Sequence, residues 1–329
     1  MPDFTTRLSA GLECAADHLA LALVPVLFAL LDTNKILAIT SFDGGHVGFR
    51  IGIPFSVVTV WQFVSVPQSG VNVEPGVPIE ALPLAVVTVP ALLVVQAAVA
   101  AGYFGSLRNA LAGAPYDFLG HARRYFLPFL VLTLVPFLFV LPLALGVFGI
   151  GRLTGSLGTA ALALVVPAAV LLLVAAYLFY GTPYLLVLRD TELLDAARGS
   201  YSLAIAGGPY LAYAAGYAVF VLLVSPVATA VVVNLPLVGV PLGVLAGGFV
   251  GLGVNLATMR FLADVDPWCR PTSAGERTRR DPAADGPPGR PRRARGGTAY
   301  RYEAERRPPG RPVRPIATII VRDEGAVDE

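Results

Sequence analysis

Residues 199–259 read GSYSLAIAGGPYLAYAAGYAVFVLLVSPVATAVVVNLPLVGVPLGVLAGGFVGLGVNLATM, 61 residues without an Asp, Glu, Lys, Arg or His. A bilayer accepts such a run far more readily than a water-soluble core does. The hydrocarbon layer is about 30 Å thick and takes roughly 20 apolar residues per helical crossing. The run therefore supplies two crossings, divided by turn chemistry at Asn234-Leu235-Pro236.

Shorter charge-poor runs extend the pattern to six spans, at about 19–40, 81–107, 125–151, 157–186, 210–233 and 238–261. Of the 329 residues, 55% are hydrophobic and 14% charged, and mean hydropathy is +0.69. Soluble domains carry about 25% charged residues, so the deficit points to lipid. The expected fold class is an all-α integral membrane protein: a six-helix transmembrane bundle over residues 1–262, followed by an Arg/Pro/Gly-rich disordered tail over 263–329.

Charge divides the chain in the same way. Residues 1–269 hold 10 basic and 13 acidic side chains, and residues 270–329 hold 14 arginines against 9 acids. Within the body, Arg108, Arg123, Arg124, Arg189, Arg198 and Arg260 fall in the connections that share a side with Arg7. The positive-inside rule places that side, and both termini, in the cytoplasm of a multi-pass cell-membrane protein. Asp3, Glu13 and Asp17 outnumber Arg7 before the first apolar run, unlike the basic n-region of a signal peptide.

The two longer cytoplasmic connections resemble each other. Asp117-Phe118-Leu119-Gly120-His121-Ala122-Arg123 aligns with Glu192-Leu193-Leu194-Asp195-Ala196-Ala197-Arg198, and Tyr103-Phe104-Gly105 answers Phe179-Tyr180-Gly181. Each segment starts on an acid and ends on an arginine, as the helix dipole favours. Together with Leu8–Ala16 they read as three short interfacial helices, each feeding a membrane hairpin.

Gly239, Gly243, Gly247 and Gly251 recur at every fourth position, and Asn255 continues the row. This is the small-xxx-small spacing that lets membrane helices approach closely. Asp32, Asn34 and Lys35 form the most suggestive polar cluster, because ionisable groups inside a bilayer are usually functional. With Asn255 they are the candidate intramembrane site, although the first span can also end near Leu31 and leave the cluster among headgroups. Pro128, Pro136, Pro142 and Pro167 predict kinks in spans three and four.

Residues 42–80 form the longest connection. Val47, Phe49, Ile51, Ile53 and Phe55 alternate as in a strand, and Phe55–Val66 suits an interfacial helix or a re-entrant cap with Trp61 at headgroup depth. His18, His46 and His121 are scattered, Cys14 and Cys269 lie far apart, and no phosphate loop, nucleophile elbow or zinc motif occurs. No catalytic residue, metal or cofactor is expected. The expected partners are the bilayer and, at the arginine-rich tail, anionic lipid or a protein, with homo-oligomerisation left open and nucleic acid disfavoured.

Tyr180-Gly181-Thr182-Pro183-Tyr184-Leu185-Leu186-Val187-Leu188-Arg189-Asp190, followed by Leu194-Asp195-Ala196-Ala197-Arg198-Gly199-Ser200-Tyr201, resembles a recurrent loop of polytopic membrane proteins. These are similar to the membrane domain of glycerophosphodiester phosphodiesterases and to uncharacterised archaeal relatives, and Arg50-Ile51-Gly52-Ile53-Pro54 with Trp61-Gln62-Phe63-Val64-Ser65-Val66-Pro67 resembles uncharacterised haloarchaeal membrane proteins. The resemblance implies a six-helix membrane domain of unknown biochemical role. The phosphodiesterase activity does not carry over, because no clustered carboxylates and histidines accompany the loop. The function expected is a non-enzymatic structural or regulatory membrane component; the alternative is a small-solute transporter or permease built from repeated hairpins.

Overall fold

The computed structural model describes residues 3–53, 56–67, 82–154, 159–235, 237–267 and 269, without the side chains of 82–88, 139–154 and 159–165. The described residues are helical with no strand. The helices are α1 (Phe4–Asp17), α2 (Leu23–Leu31), α3 (Thr33–Thr40), α4 (Leu82–Leu111), α5 (Phe118–Thr154), α6 (Thr159–Phe179), α7 (Thr182–Leu188), α8 (Leu193–Ala206), α9 (Pro209–Asn234) and α10 (Gly239–Val265). Single 3-10 turns occupy Leu19–Ala22 and Val60–Gln62.

Among the described residues, four helical stretches are long and apolar enough to cross a bilayer: Val89–Leu111, Val166–Leu188, Pro209–Asn234 and Gly239–Val265. The pair Phe4–Asp17 and Leu19–Leu31, bent by 101°, makes a fifth if it counts as one broken span. The expected third span, 125–151, lies within α5, which runs unbroken through Pro128, Pro136 and Pro142. Leu171, Leu173, Leu223 and Leu245 point outward from three of these helices with more than half of their surface exposed. Such a belt of exposed leucine suits lipid and disfavours water.

Local chemistry explains where the helices start and stop. The Asp3 carboxylate accepts the Thr6 backbone N–H at 3.2 Å and caps α1. Asp117 does the same for Gly120 N–H at 3.0 Å, where α5 begins. The two related connections nevertheless diverge. Gly207 (φ 63°) and Gly208 (φ 53°), followed by Pro209, separate α8 from α9. Nothing comparable stands between Arg123 and Tyr125, so the short segment there is the first part of α5 and not a separate helix.

The first expected span, 19–40, is not one helix. Asp32 (φ −85°, ψ 64°) ends α2 after nine residues, and α3 starts afresh at Thr33. Nine residues rise only about 14 Å. α2 packs alongside α10, whereas α1 packs on the last turns of α10 near Asp264. The expected tail lies outside the described residues beyond Cys269, as does the part of the long connection from 68 to 81.

The core forms around α10. Its side chains from Leu252 to Thr258 are all buried, and its glycines admit neighbours at backbone distance. A Cβ on Gly239 would meet the Val231 carbonyl oxygen at 2.5 Å, and one on Gly243 would strike Val232, so these two seat α9. Gly247 and Gly251 instead seat residues 58–60, with the Val58 carbonyl oxygen lying on Gly251 and Val60 Cα 2.8 Å from a Cβ at Gly247. Farther along, Gly11 of α1 rests on Gly253 and Ala257.

Overpacking of this kind typically costs 1–3 kcal/mol, and more where backbone must move. Gly251→Val should lower the thermal unfolding midpoint of the detergent-purified protein by several degrees. Gly45→Ala, which has open space around it, should leave the midpoint unchanged; equal effects from both would contradict close packing at Gly251.

Candidate functional site

Residues 44–67 form neither the expected strand nor an interfacial helix. From Gly44 to Ile53 the chain is extended and runs along α9 in the direction opposite to it. Asn234 holds its entry, accepting His46 N–H at 2.8 Å and donating to the His46 carbonyl at 2.9 Å. Ser225 donates to the Gly48 carbonyl at 3.4 Å, and Gly52 reaches the rings of Tyr217. No second strand lies alongside, so side chains of α9 replace a ladder.

The chain then returns. Val57, Val58, Val60, Trp61, Phe63 and Val64 are buried, and Ser65 N–H donates to Thr229 Oγ1 at 2.9 Å. Gly251 lies twelve residues into α10, about 18 Å from its start. The Val58–Val60 backbone thus sits at the depth of the middle of α10. Non-helical backbone at such depth is tolerated where protein covers it or a cavity adjoins it. Here both conditions hold.

Trp61 is 3% exposed, and its Nε1–H donates to the Ala29 carbonyl at 2.8 Å. Sequence reasoning placed this ring among headgroups. The correction has a physical cause: Asp32 ends α2, the Ala29 carbonyl keeps only a long 3.4 Å bond from the Asp32 N–H, and the indole adds a shorter one. Tyr217 Oη donates to Gln62 Oε1 at 2.6 Å and ties the return arm to α9.

A cavity of about 210 Å³ opens at the tip of this buried segment. Phe28, Phe104 and Phe129 supply its apolar walls, and Ser56, Gln96 and Thr133 its polar groups. Ser56 has φ 66°, a left-handed conformation uncommon outside glycine and asparagine. Such strain persists only where the surroundings hold it and gathers at functional positions.

The polar residues singled out from the sequence do not all meet. Asp32 and Lys35 pair with each other, both about one-third exposed, and Lys35 lies 6.0 Å from the Trp61 ring centroid. Asn34 is exposed. Asn255 is fully buried elsewhere, donating to Tyr103 Oη and accepting from Tyr184 Oη, each at 3.0 Å. Its amide bridges α4 and α7 onto α10. Next along α10, Thr258 shares a 2.9 Å hydrogen bond with Tyr213. None of these four residues lines the cavity.

Several organising residues escaped the sequence reading. Tyr210, Tyr213 and Tyr217 stand at i, i+3 and i+7 of α9 and are all buried; that spacing was a usable signal. At the arginine-bearing end, Arg189 makes a bidentate pair with the fully buried Asp266, at 2.7 and 2.8 Å. Arg124 pairs with Asp190, which also accepts from Tyr125 Oη at 2.8 Å. Arg7 reaches Asp264 at 2.7 Å. These contacts join connections far apart in sequence, and charge counting alone could not match the partners.

Among the described residues no group of His, Cys, Asp or Glu could hold a metal ion. Comparison with protein-family models, curated proteins and solved structures finds no match for this chain.

Two outcomes follow from the geometry. Asn255→Leu leaves two buried tyrosine hydroxyls without their partner, at about 1–3 kcal/mol. Adding Tyr103→Phe and Tyr184→Phe should restore much of the lost thermal stability; a triple variant weaker than the single one would contradict the bridge. Burial and the Asp266 carboxylate push the Cys269 thiol up to about 12, so it stays protonated at neutral pH. In a Cys14→Ser background, maleimide modification of Cys269 should be slow at pH 7 and still accelerate above pH 9. A rate that levels off near pH 9, as for an ordinary thiol, would contradict that environment.

Proposed function

We propose that this chain is a multi-pass cell-membrane protein with both termini in the cytoplasm, and that its body is a non-enzymatic structural or regulatory component. Six crossings suit this reading: α2 with α3 as one broken crossing, then α4, α5, α6 with α7, α9 and α10. The arginines Arg108, Arg123, Arg124, Arg198 and Arg260 gather at one end of these helices, and the positive-inside rule makes that end cytoplasmic. α1 and α8 then lie at the cytoplasmic interface, as the sequence repeat suggests, and the arginine-rich tail meets anionic lipid or a protein. The likeness of the Tyr180–Asp190 loop to six-helix membrane domains supports the same architecture.

One observation carries the scaffold reading over a conduit. The glycine face of α10, the best candidate for a pore lining, is filled by α9 and by residues 58–60, and Asn255 bonds two tyrosines. The permease reading keeps one observation in its favour, the non-helical segment at depth beside a cavity.

Purified protein in liposomes separates the two. Glycerol, urea and amino acids should enter no faster than into protein-free liposomes. Uptake that Asp32→Asn or Asn34→Ala abolishes would replace the scaffold by a permease. Orientation is read from single cysteines at exposed positions, because Cys269 is a poor reporter. In intact cells Ser41→Cys should react with an impermeant maleimide and Leu119→Cys should not; the reverse pattern would invert the topology.

A further inference from the structure

The cavity at the tip of the buried segment has a composition that selects its occupant. It is bounded by α2, α4, α5, the start of α7 and the return arm, so five separate parts of the chain converge on it. Three phenyl rings and the aliphatic side chains of Val57 and Leu132 make most of its wall. At about 210 Å³ it exceeds the roughly 150 Å³ that admits a benzene ring in an apolar protein interior.

No charged side chain lines it, so an ion would enter without compensation and at high cost. A pure hydrocarbon would leave three polar groups unused. Those groups come from different elements: Ser56 from the return arm, Gln96 from α4 and Thr133 from α5. Thr133 donates its own proton to the Phe129 carbonyl at 2.9 Å. Its oxygen can therefore only accept, which calls for a ligand that donates. The Gln96 amide can do either.

We propose that this cavity is a binding site for a small neutral molecule with an apolar, ring-sized body and one hydroxyl group, an aromatic or cyclic alcohol in chemical class. The ligand's ring packs among Phe28, Phe104 and Phe129, and its hydroxyl donates to Thr133 or Gln96. Occupancy braces the strained Ser56 turn, and through the return arm it braces the contact of Val58 and Val60 with α10. The site gives a regulatory component something to sense. Its test does not depend on the scaffold reading, because occupancy is measured without flux.

A benzyl alcohol carrying a photoreactive diazirine is the probe, applied to the full chain in lipid nanodiscs, with adducts located by mass spectrometry. Adducts should fall on Phe28, Phe104 or Phe129, and excess benzyl alcohol should displace them more effectively than toluene. Ala100→Trp, which fills the space, should reduce those adducts about tenfold or more, while adducts on the lipid-facing Leu171 and Leu223 stay constant. Thr133→Val combined with Gln96→Leu, a milder change, should retain a monodisperse fold and erase the preference for benzyl alcohol over toluene. Adducts spread evenly over lipid-facing helices, or unaffected by Ala100→Trp in a folded variant, would overturn the site. Equal displacement by toluene and benzyl alcohol in the unsubstituted protein would overturn the role of the hydroxyl.

Discussion

The contact on which the rest of the structure depends is between backbone and backbone: the Val58–Val60 stretch seated on Gly247 and Gly251 of α10. A non-helical segment inside a bilayer must find a protein partner for every polar group it carries. The absence of two side chains on α10 lets it come close enough. Asn234, Ser225 and Thr229 of α9 hold the arms that lead into and out of it, bonding the His46 and Gly48 carbonyls and the Ser65 N–H. Removing the glycine spacing would leave this segment nowhere to go, and both the burial of Trp61 and the cavity beyond Ser56 would be lost with it.

A second layer of constraint closes the arginine-bearing end. Arg189 with Asp266, Arg124 with Asp190 and Arg7 with Asp264 fasten α7, α5 and α1 to their neighbours where the apolar spans run out. Asp266 is buried outright, so its pair with Arg189 is needed to avoid an uncompensated charge, whatever its net stabilisation. The other two pairs are partly exposed and weaker. The bundle is thus held by close packing at mid-depth and by specific ion pairs at one end.

Much of this was legible before any coordinates. The charge-free run 199–259 announces α9 and α10, and the four-residue glycine spacing marks the face where close neighbours sit. Asn255 was recognisable as part of that face, but its partners Tyr103 and Tyr184 lie 152 and 71 positions away, and no local pattern names them. Asp32 drew notice as a charge in a membrane. Its actual effect, ending α2 and leaving the Ala29 carbonyl with only a long bond from the Asp32 N–H, emerges only once Trp61 is seen to donate to that carbonyl. Phe55–Val66 was ambiguous for a physical reason: twelve mostly apolar residues are too few to span a bilayer. Interfacial and inserted segments of that length share one composition, so only the glycines of a distant helix decide between them.

Hydrogen exchange of the backbone amides in residues 57–66, in lipid nanodiscs, tests the buried segment most directly. Amides so enclosed should exchange as slowly as those in the middle of α10, with slow exchange ending abruptly toward Gly44 and Gly45. Exchange of 57–66 within seconds, while α10 remains protected, would mean that the segment lies in water, and the account of the core built on it would fail.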